Sequence, residues 1–183
     1  MEYTDEEILD LLKDQDGKGM EMLFKKYYQP LCLSGYRYIR DKQKVEDIVQ
    51  ELFYELWKKR ENINIQTSLG PYLRTAIRNR SLNFIKGQRI DFAEEDELKG
   101  FTSNEASTQE DLETSELETF INQVIDNLPE KCRMVFILSR IDELSYKEIA
   151  EKLDISTKTV ENQISKALKI LRTQVTAFRE REN

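Results

Sequence analysis

The 183-residue chain contains no histidine. That removes the side chain most often used as a general base near neutral pH and the commonest metal ligand. Its two cysteines, Cys32 and Cys132, have no CxxC spacing, and each sits inside an apolar helical pattern. They read as buried thiols in a reducing compartment rather than as a disulfide or a metal site. No glycine-rich phosphate loop is present. No catalytic residue, metal or cofactor is therefore expected, and the chemistry left to this chain is binding chemistry. Two stretches concentrate it.

The first runs from Leu144 to Arg172. Ser145 is a good N-cap, and Ile149, Ala150 and Leu153 recur at helical spacing. Asp154 and Ile155 form a tight turn, with Asp154 at a position where glycine is common. Asp tolerates the left-handed conformation better than most residues. Ser156 caps a second helix whose apolar stripe is Val160, Ile164, Ala167, Leu168 and Leu171. Between those positions the helix shows Thr157, Lys158, Thr159, Glu161, Asn162, Ser165, Lys166 and Lys169. Short hydrogen-bonding groups and cations early in the second helix of a helix-turn-helix suit base edges in a major groove and phosphates beside it. An ordinary helical hairpin with a solvated face has the same outline.

The second stretch is PYLRTAIRNRSLNFIK, residues 71–86. It holds Arg74, Arg78, Arg80 and Lys86 and no acid. Pro71 suits the first turn of a helix, where its missing N–H costs nothing. Leu73, Ala76, Ile77 and Phe84 face inward by spacing. Thr75, Asn79, Asn83 and Lys86 form an adjacent stripe flanked by Arg74 and Arg78. Cations could hold phosphates, amides could read base edges, and Tyr72 could stack on an exposed base. A basic helix that pairs with acids elsewhere in the chain is the competing reading.

The elements that position these stretches are helical throughout. Only 6 Gly and 3 Pro are present, and charged residues make up 34% of the chain. Thr4 caps a short helix with Ile8, Leu11 and Leu12 inward, and Gly17 and Gly19 break it. Met20, Leu23, Phe24 and Tyr27 start the next helix, Pro30 marks a junction or kink, and the pattern continues to about Arg40. The aromatics here read as core. From Val45 to Arg60 the residues Val45, Ile48, Val49, Leu52, Phe53, Leu56 and Trp57 make an unbroken stripe. The opposite face carries Glu46, Asp47, Gln50, Glu51 and Glu55, which by spacing alone is a solvated face. Asn62 to Gly70 reads as a loop. The longest apolar run, Met134 to Leu138, is far too short to span a membrane, and the acidic start MEYTDEE is no signal peptide. A soluble cytoplasmic protein is expected.

Net charge is −7, an unfavourable balance for a partner of nucleic acid until its distribution is considered. Residues 1–90 carry 16 basic and 14 acidic side chains, and residues 120–183 carry 11 and 10. Residues 91–119 hold Lys99 against 11 acids. This segment is poor in large apolar residues and rich in Ser, Thr and Glu, so it reads as a flexible acidic linker with a helix starting near Gln109. The expected organisation is all-α: a domain over 1–90, a linker over 91–117 and a second domain over 118–183.

These pieces resemble a family. VEDIVQELFYELW looks like the most characteristic stretch of domain 2 of the sigma factors of bacterial RNA polymerase. PYLRTAIRNRSLNFIK is similar to the promoter-melting helix that follows it. LPEKCRMVFILSRIDELSYKEIAEKLDISTKTVENQISKALKILR is similar to domain 4. Both match in order, and the chain has room for no further sigma domain, as in the two-domain extracytoplasmic-function (ECF) group. Val45 stands where the family often has Ala, and Tyr72 where it often has Trp. The resemblance implies that Glu46, Asp47, Gln50 and Glu51 dock on the clamp helices of the polymerase β′ subunit, with the β flap as a further polymerase contact. It implies that the loop from Asn62 to Thr67, Asn62 and Asn64 included, captures a flipped base. Tyr72, Arg74, Thr75, Arg78, Asn79, Asn83 and Lys86 would complete the −10 site. Ser156, Thr157, Lys158, Thr159, Glu161, Asn162, Ser165 and Lys166 would read the −35 element. Expected partners are core polymerase and promoter DNA, and many relatives also bind an anti-sigma factor. The competing function is a stand-alone helix-turn-helix regulator in which residues 1–90 sense a ligand or dimerise.

Overall fold

The structure, a computed structural model, describes residues 3–14, 17–63, 65, 68–88 and 116–182. The expected linker up to residue 115, with the helix start near Gln109, lies outside the described residues, as do Asn64, Gln66 and Thr67. The chain divides into two compact units, Met1–Ile90 and Asp91–Asn183. The described residues form helices and connecting turns.

In the first unit α1 spans Asp5–Lys13. Thr4 and Glu7 close a capping box at its start, and Ile8 and Leu12 are buried. The next helix, α2, spans Lys18–Tyr36 and packs against α1 and against two helices that follow. Gly19 lies inside α2 and does not break it. A Cβ at Gly19 would sit 2.4 Å from the Leu12 nitrogen, so its role is to let α1 and α2 touch backbone to backbone. Pro30 lies inside α2, which continues past it as the pattern expects. It is exposed, on the side where a carbonyl left without its N–H partner can be hydrated. The helix stops at Tyr36, short of the expected Arg40, and Tyr38 and Ile39 are buried beyond its end.

Asp41 caps α3, Lys42–Lys58, by accepting the Lys44 N–H at 3.1 Å. Val45, Val49, Leu52, Phe53 and Leu56 are buried as the stripe requires, while Ile48 and Trp57 are half-buried at its margins. Val45 presses on Gly35, where an added Cβ would lie 2.7 Å from its Cγ1. A 3-10 turn over Arg60–Asn62 follows. The helix α4 spans Leu69–Gly87 and so begins before Pro71. Leu69, Leu73, Ile77, Leu82 and Ile85 are buried, whereas Ala76 and Phe84 are only half-buried. The row that continues from Ile77 at i+4 and i+8 is Ser81 and Ile85, both buried.

The aromatics and apolar residues of α2 are not all core. Phe24 is 48% exposed, and Leu33 and Tyr36 are also exposed. Three partner helices cover one side of α2 and leave the Phe24 side open. Cys32 is half-buried rather than buried, and Cys132 is buried. Burial raises the Cys32 thiol pKa above its ordinary value.

The second unit contains α5 (Glu116–Asp126), α6 (Glu130–Arg140), α7 (Tyr146–Leu153) and α8 (Thr157–Glu182). Lys131 through Ser139 of α6 are buried. The Cys132 thiol donates to the Gln163 side-chain oxygen at 2.9 Å and ties α6 to α8. Phe120 and Phe178 stack with centroids 4.4 Å apart and tie α5 to the far part of α8. Val160, Ile164 and Ala167 are buried as expected, but Leu168 is 42% exposed and Leu171 half-buried. With 8 residues α7 is about 12 Å long and cannot cover the roughly 39 Å of α8. Among the described residues no helix is long and apolar enough to cross a membrane.

Candidate functional site

The exposed stripe expected on α4 is present. Arg74, Thr75, Asn79, Asn83 and Lys86 are exposed, Arg78 is half-buried, and Tyr72 is 41% exposed at the N-terminal end of the helix. No acid interrupts the stripe. Beside it lies a cavity of about 200 Å³. Leu52 and Leu56 of α3, Ile63 and Ile65 of the loop, and Ala76 of α4 give it apolar walls. Tyr72, Asn62, Lys59, Glu55 and Arg80 bring polar groups to the same lining. A slot walled about equally by apolar and by polar or charged groups, an aromatic among them, has the character of a site for a flat heteroaromatic ring with hydrogen-bonding edges.

The loop's entry is held by the chain just before it. The Arg60 guanidinium lies over the Trp57 ring, 4.2 Å from its centroid, and donates to the Trp57 carbonyl at 2.9 Å. The Asn62 N–H donates to the Lys59 carbonyl at 2.8 Å. These contacts fix the 3-10 turn that carries Asn62 to the cavity.

Arg80 plays a part that its sequence neighbourhood does not announce. Its guanidinium reaches Glu55 at 2.9 Å and Glu51 at 3.5 Å, so it joins α4 to α3. Hydrogen bonding to Arg80 holds the Glu55 carboxyl below its ordinary pKa. Of the four α3 residues expected to dock, Glu51 is thus partly engaged within the unit. Glu46 is half-buried with Lys42 at 3.9 Å, and Asp47 is exposed with Lys44 at 3.9 Å. Such exposed pairs contribute little and yield readily to a better partner.

This acidic face does not stand alone. Phe24 and Tyr28 of α2 stack with centroids 4.3 Å apart, and Phe24 meets Phe53 edge-on at 6.1 Å. Tyr28 shares a hydrogen bond with the exposed Gln50, and burial lifts its hydroxyl pKa. Acidic and amide groups of α3 therefore border an open aromatic pair on α2. Sequence reasoning assigned Phe24 to the core and so missed it. The available signal was the excess of apolar positions on α2, wider than one buried stripe requires.

In the second unit the helix-turn-helix is built as its residues require. Ser145 and Glu148 form a capping box, with Ser145 N–H donating to the Glu148 carboxylate at 2.9 Å. Asp154 takes the left-handed conformation, φ 57° and ψ 47°, and the Ile155 N–H returns to the Ala150 carbonyl at 3.0 Å. The Ser156 hydroxyl accepts the Thr159 N–H at 3.0 Å and starts α8. Ser156, Thr157, Lys158, Glu161, Asn162 and Ser165 are exposed, while Thr159 and Lys166 are half-buried. Lys158 pairs with Glu161 at 3.1 Å, with both side chains largely in solvent. All eight expected residues sit on the first ten positions of the helix or its cap, as a probe of a groove needs.

Comparison with known proteins fits this arrangement. Residues 23–90 match the family model described as Sigma-70 region 2, and residues 121–171 match Sigma-70, region 4. The chain is similar to the ECF RNA polymerase sigma-E factor of Haemophilus influenzae, 25% identical with 95% of this chain and 96% of the relative covered. It is likewise similar to the ECF RNA polymerase sigma-E factor of Escherichia coli K12, 27% identical with 95% of each chain covered. A solved structure, the sigma factor RpoE in complex with the anti-sigma factor NepR from Bartonella quintana, aligns at a TM-score of 0.48 with 18% identity, covering 87% of this chain and 98% of that one. With both sigma regions matched in order and relatives aligned nearly end to end, the chain belongs to the sigma-70 family, in its extracytoplasmic-function group, and is a sigma factor that directs transcription initiation.

Proposed function

We propose that the two units divide promoter recognition: the first melts and reads the −10 element, and the second reads the −35 element as duplex. The observation that carries this is the acid-free exposed stripe of α4 running beside the Tyr72-lined cavity. A groove-reading helix has no use for such a slot, but an extruded base has. Taking one base out of the stack costs a few kcal/mol, and stacking on one aromatic returns about 1–3 kcal/mol. One aromatic is thus not enough, so the cations Arg74 and Lys86 and the amides Asn79 and Asn83 supply the remainder through phosphate and base contacts. The α8 surface from Ser156 to Lys166 reads base edges with Asn162 and Ser165 and holds phosphates with its N-terminal N–H groups and lysines. The acidic face of α3, with Phe24 and Tyr28 beside it, docks on the β′ clamp helices. The protein itself makes or breaks no bond, and it works in the cytoplasm with core polymerase.

The test is reconstituted transcription. Wild-type protein added to sigma-free core polymerase should give specific transcripts from a cognate promoter. The Asp47→Lys, Gln50→Lys double variant should lose at least tenfold in core affinity while its melting temperature stays within a degree or two, since exposed charges contribute little to folding. Normal core affinity in that variant would remove the docking assignment.

A further inference from the structure

The helix that carries the −10 stripe begins without a cap of its own. Ser68 occupies the N-cap position of α4 in extended conformation but makes no side-chain cap hydrogen bond. A cap residue normally accepts the N–H of the second or third helical residue. Here the third is Pro71, which has none, so Gly70 offers the one such N–H. It donates instead to Asp5 Oδ2 at 3.3 Å, across 65 residues of sequence.

Asp5 is itself firmly held. Its Oδ1 accepts from Lys26 Nζ at 2.8 Å and from the Tyr27 hydroxyl. Its carboxyl lies below the ordinary pKa, burial opposing and the Lys26, Tyr27 and Gly70 hydrogen bonds outweighing it. The same knot reaches the stripe: a Cβ at Gly70 would lie 3.4 Å from both the Tyr27 hydroxyl and an Arg74 Nη. At the other end of the base-capturing loop, α1 packs against the 3-10 turn that carries Asn62. The first helix thus braces both ends of the loop from Asn62 to Ser68.

We infer that Asp5 is a positioning residue for promoter opening: it caps α4 from α1, and so fixes the entrance of the −10 site with Tyr72 and Arg74 upon it. This rests on the reading of α4 given above. It lies apart from the α3 docking face, so opening and docking should separate when Asp5 is changed.

The full-length protein, assembled with core polymerase, supplies the test. Asp5→Ala should reduce permanganate reactivity of promoter thymines fivefold or more on duplex template and less than twofold on a template already unpaired at −10. Core affinity should stay within twofold. Adding Ser68→Asp, which offers Gly70 a local acceptor, should restore at least half of the lost opening. Amide exchange of Gly70 should quicken tenfold or more in Asp5→Ala and slow again in the double variant. Equal losses on duplex and unpaired templates, or an opening defect that Ser68→Asp leaves untouched, would overturn the inference. Arg74→Ala and Asn79→Ala run beside it: if both open the promoter normally, the reading of α4 has failed, whereas a defect in these two with none in Asp5→Ala refutes the role of Asp5 alone.

Discussion

The helices α4 and α8 carry similar exposed side chains and are built in opposite ways. α8 starts from its own sequence: Ser156 caps it, and the turn before it is closed by Asp154 and Ile155. The residues proposed to read the −35 element crowd into its first turns. α4 starts from elsewhere: the N–H of its second residue, Gly70, is taken by Asp5, and its stripe runs along most of 19 residues beside a cavity made with α3 and the loop. A helix end fixed by its neighbours in sequence is a stiff probe, suited to a duplex whose shape is given. A helix fixed through tertiary contacts, with a slot at its side, suits a ligand that must be pulled out of a stack and accommodated.

The sharpest way to break this comparison is to exchange the defects. The Arg74→Ala, Asn79→Ala double variant should lower open-complex formation tenfold or more, read by permanganate reactivity, with closed-complex affinity changed less than threefold. Asn162→Ala should do the reverse, costing closed-complex affinity and relaxing base preference at one −35 position by about 1–3 kcal/mol. Lys158→Ala should weaken binding at all sequences alike and lower the salt slope by about one. An α8 variant with a pure opening defect would end the division of labour.

The same contrast explains what could be read in the chain before its fold was known. The helix-turn-helix was legible down to its caps because Ser145, Asp154 and Ser156 act within four residues of themselves. The acidic face of α3 and the polar stripe of α4 were legible from 3.6-residue spacing. The Asp5–Gly70 bond, the Arg80 bridge to Glu51 and Glu55, and the openness of Phe24 were not. Each depends on which helix lies across from which, and periodicity on one helix carries no such information. Gly19 was misread for the same reason: a glycine needed for close approach to Leu12 looks, in sequence, like one that ends a helix.

A middle-sized effect concerns acid. Asp5 and Glu55 both have folded-state pKa values below their ordinary values of 3.8 and 4.5. A depressed carboxylate contributes stability that is present above its unfolded pKa and disappears as pH falls through the folded one. The first unit should therefore lose stability as pH drops below about 4.5 and continue to lose it beneath 3.8. Trp57 is the sole tryptophan and belongs to α3, so its fluorescence reports this unit alone. In Asp5→Asn the Trp57 melting temperature should be lower at pH 7 and fall less steeply on acidification. An unchanged acid slope would show that the tie from α1 to α4 does not depend on charge.

The smallest effect bears on how local the construction of the second unit is. Among its described residues two that are not glycine have positive φ, Glu143 at 56° before α7 and Asp154 at 57° after it. Left-handed backbone costs an ordinary residue roughly 1–2 kcal/mol, and Asp less because its short side chain can bond locally. Replacement by glycine removes that cost but adds unfolded-state entropy of about 0.4–1 kcal/mol. For Asp154→Gly the two should nearly cancel, leaving stability within about 0.5 kcal/mol of wild type. For Glu143→Gly the relief should exceed the entropy, stabilising the unit by about 0.5–1 kcal/mol. Chemical denaturation followed by amide exchange in α7 and α8 would resolve the pair. If Asp154→Gly proved the more stabilising, Asp154 would be strained rather than suited to its turn. The recognition helix would then owe its placement to packing on α6, and the contrast with α4 would weaken.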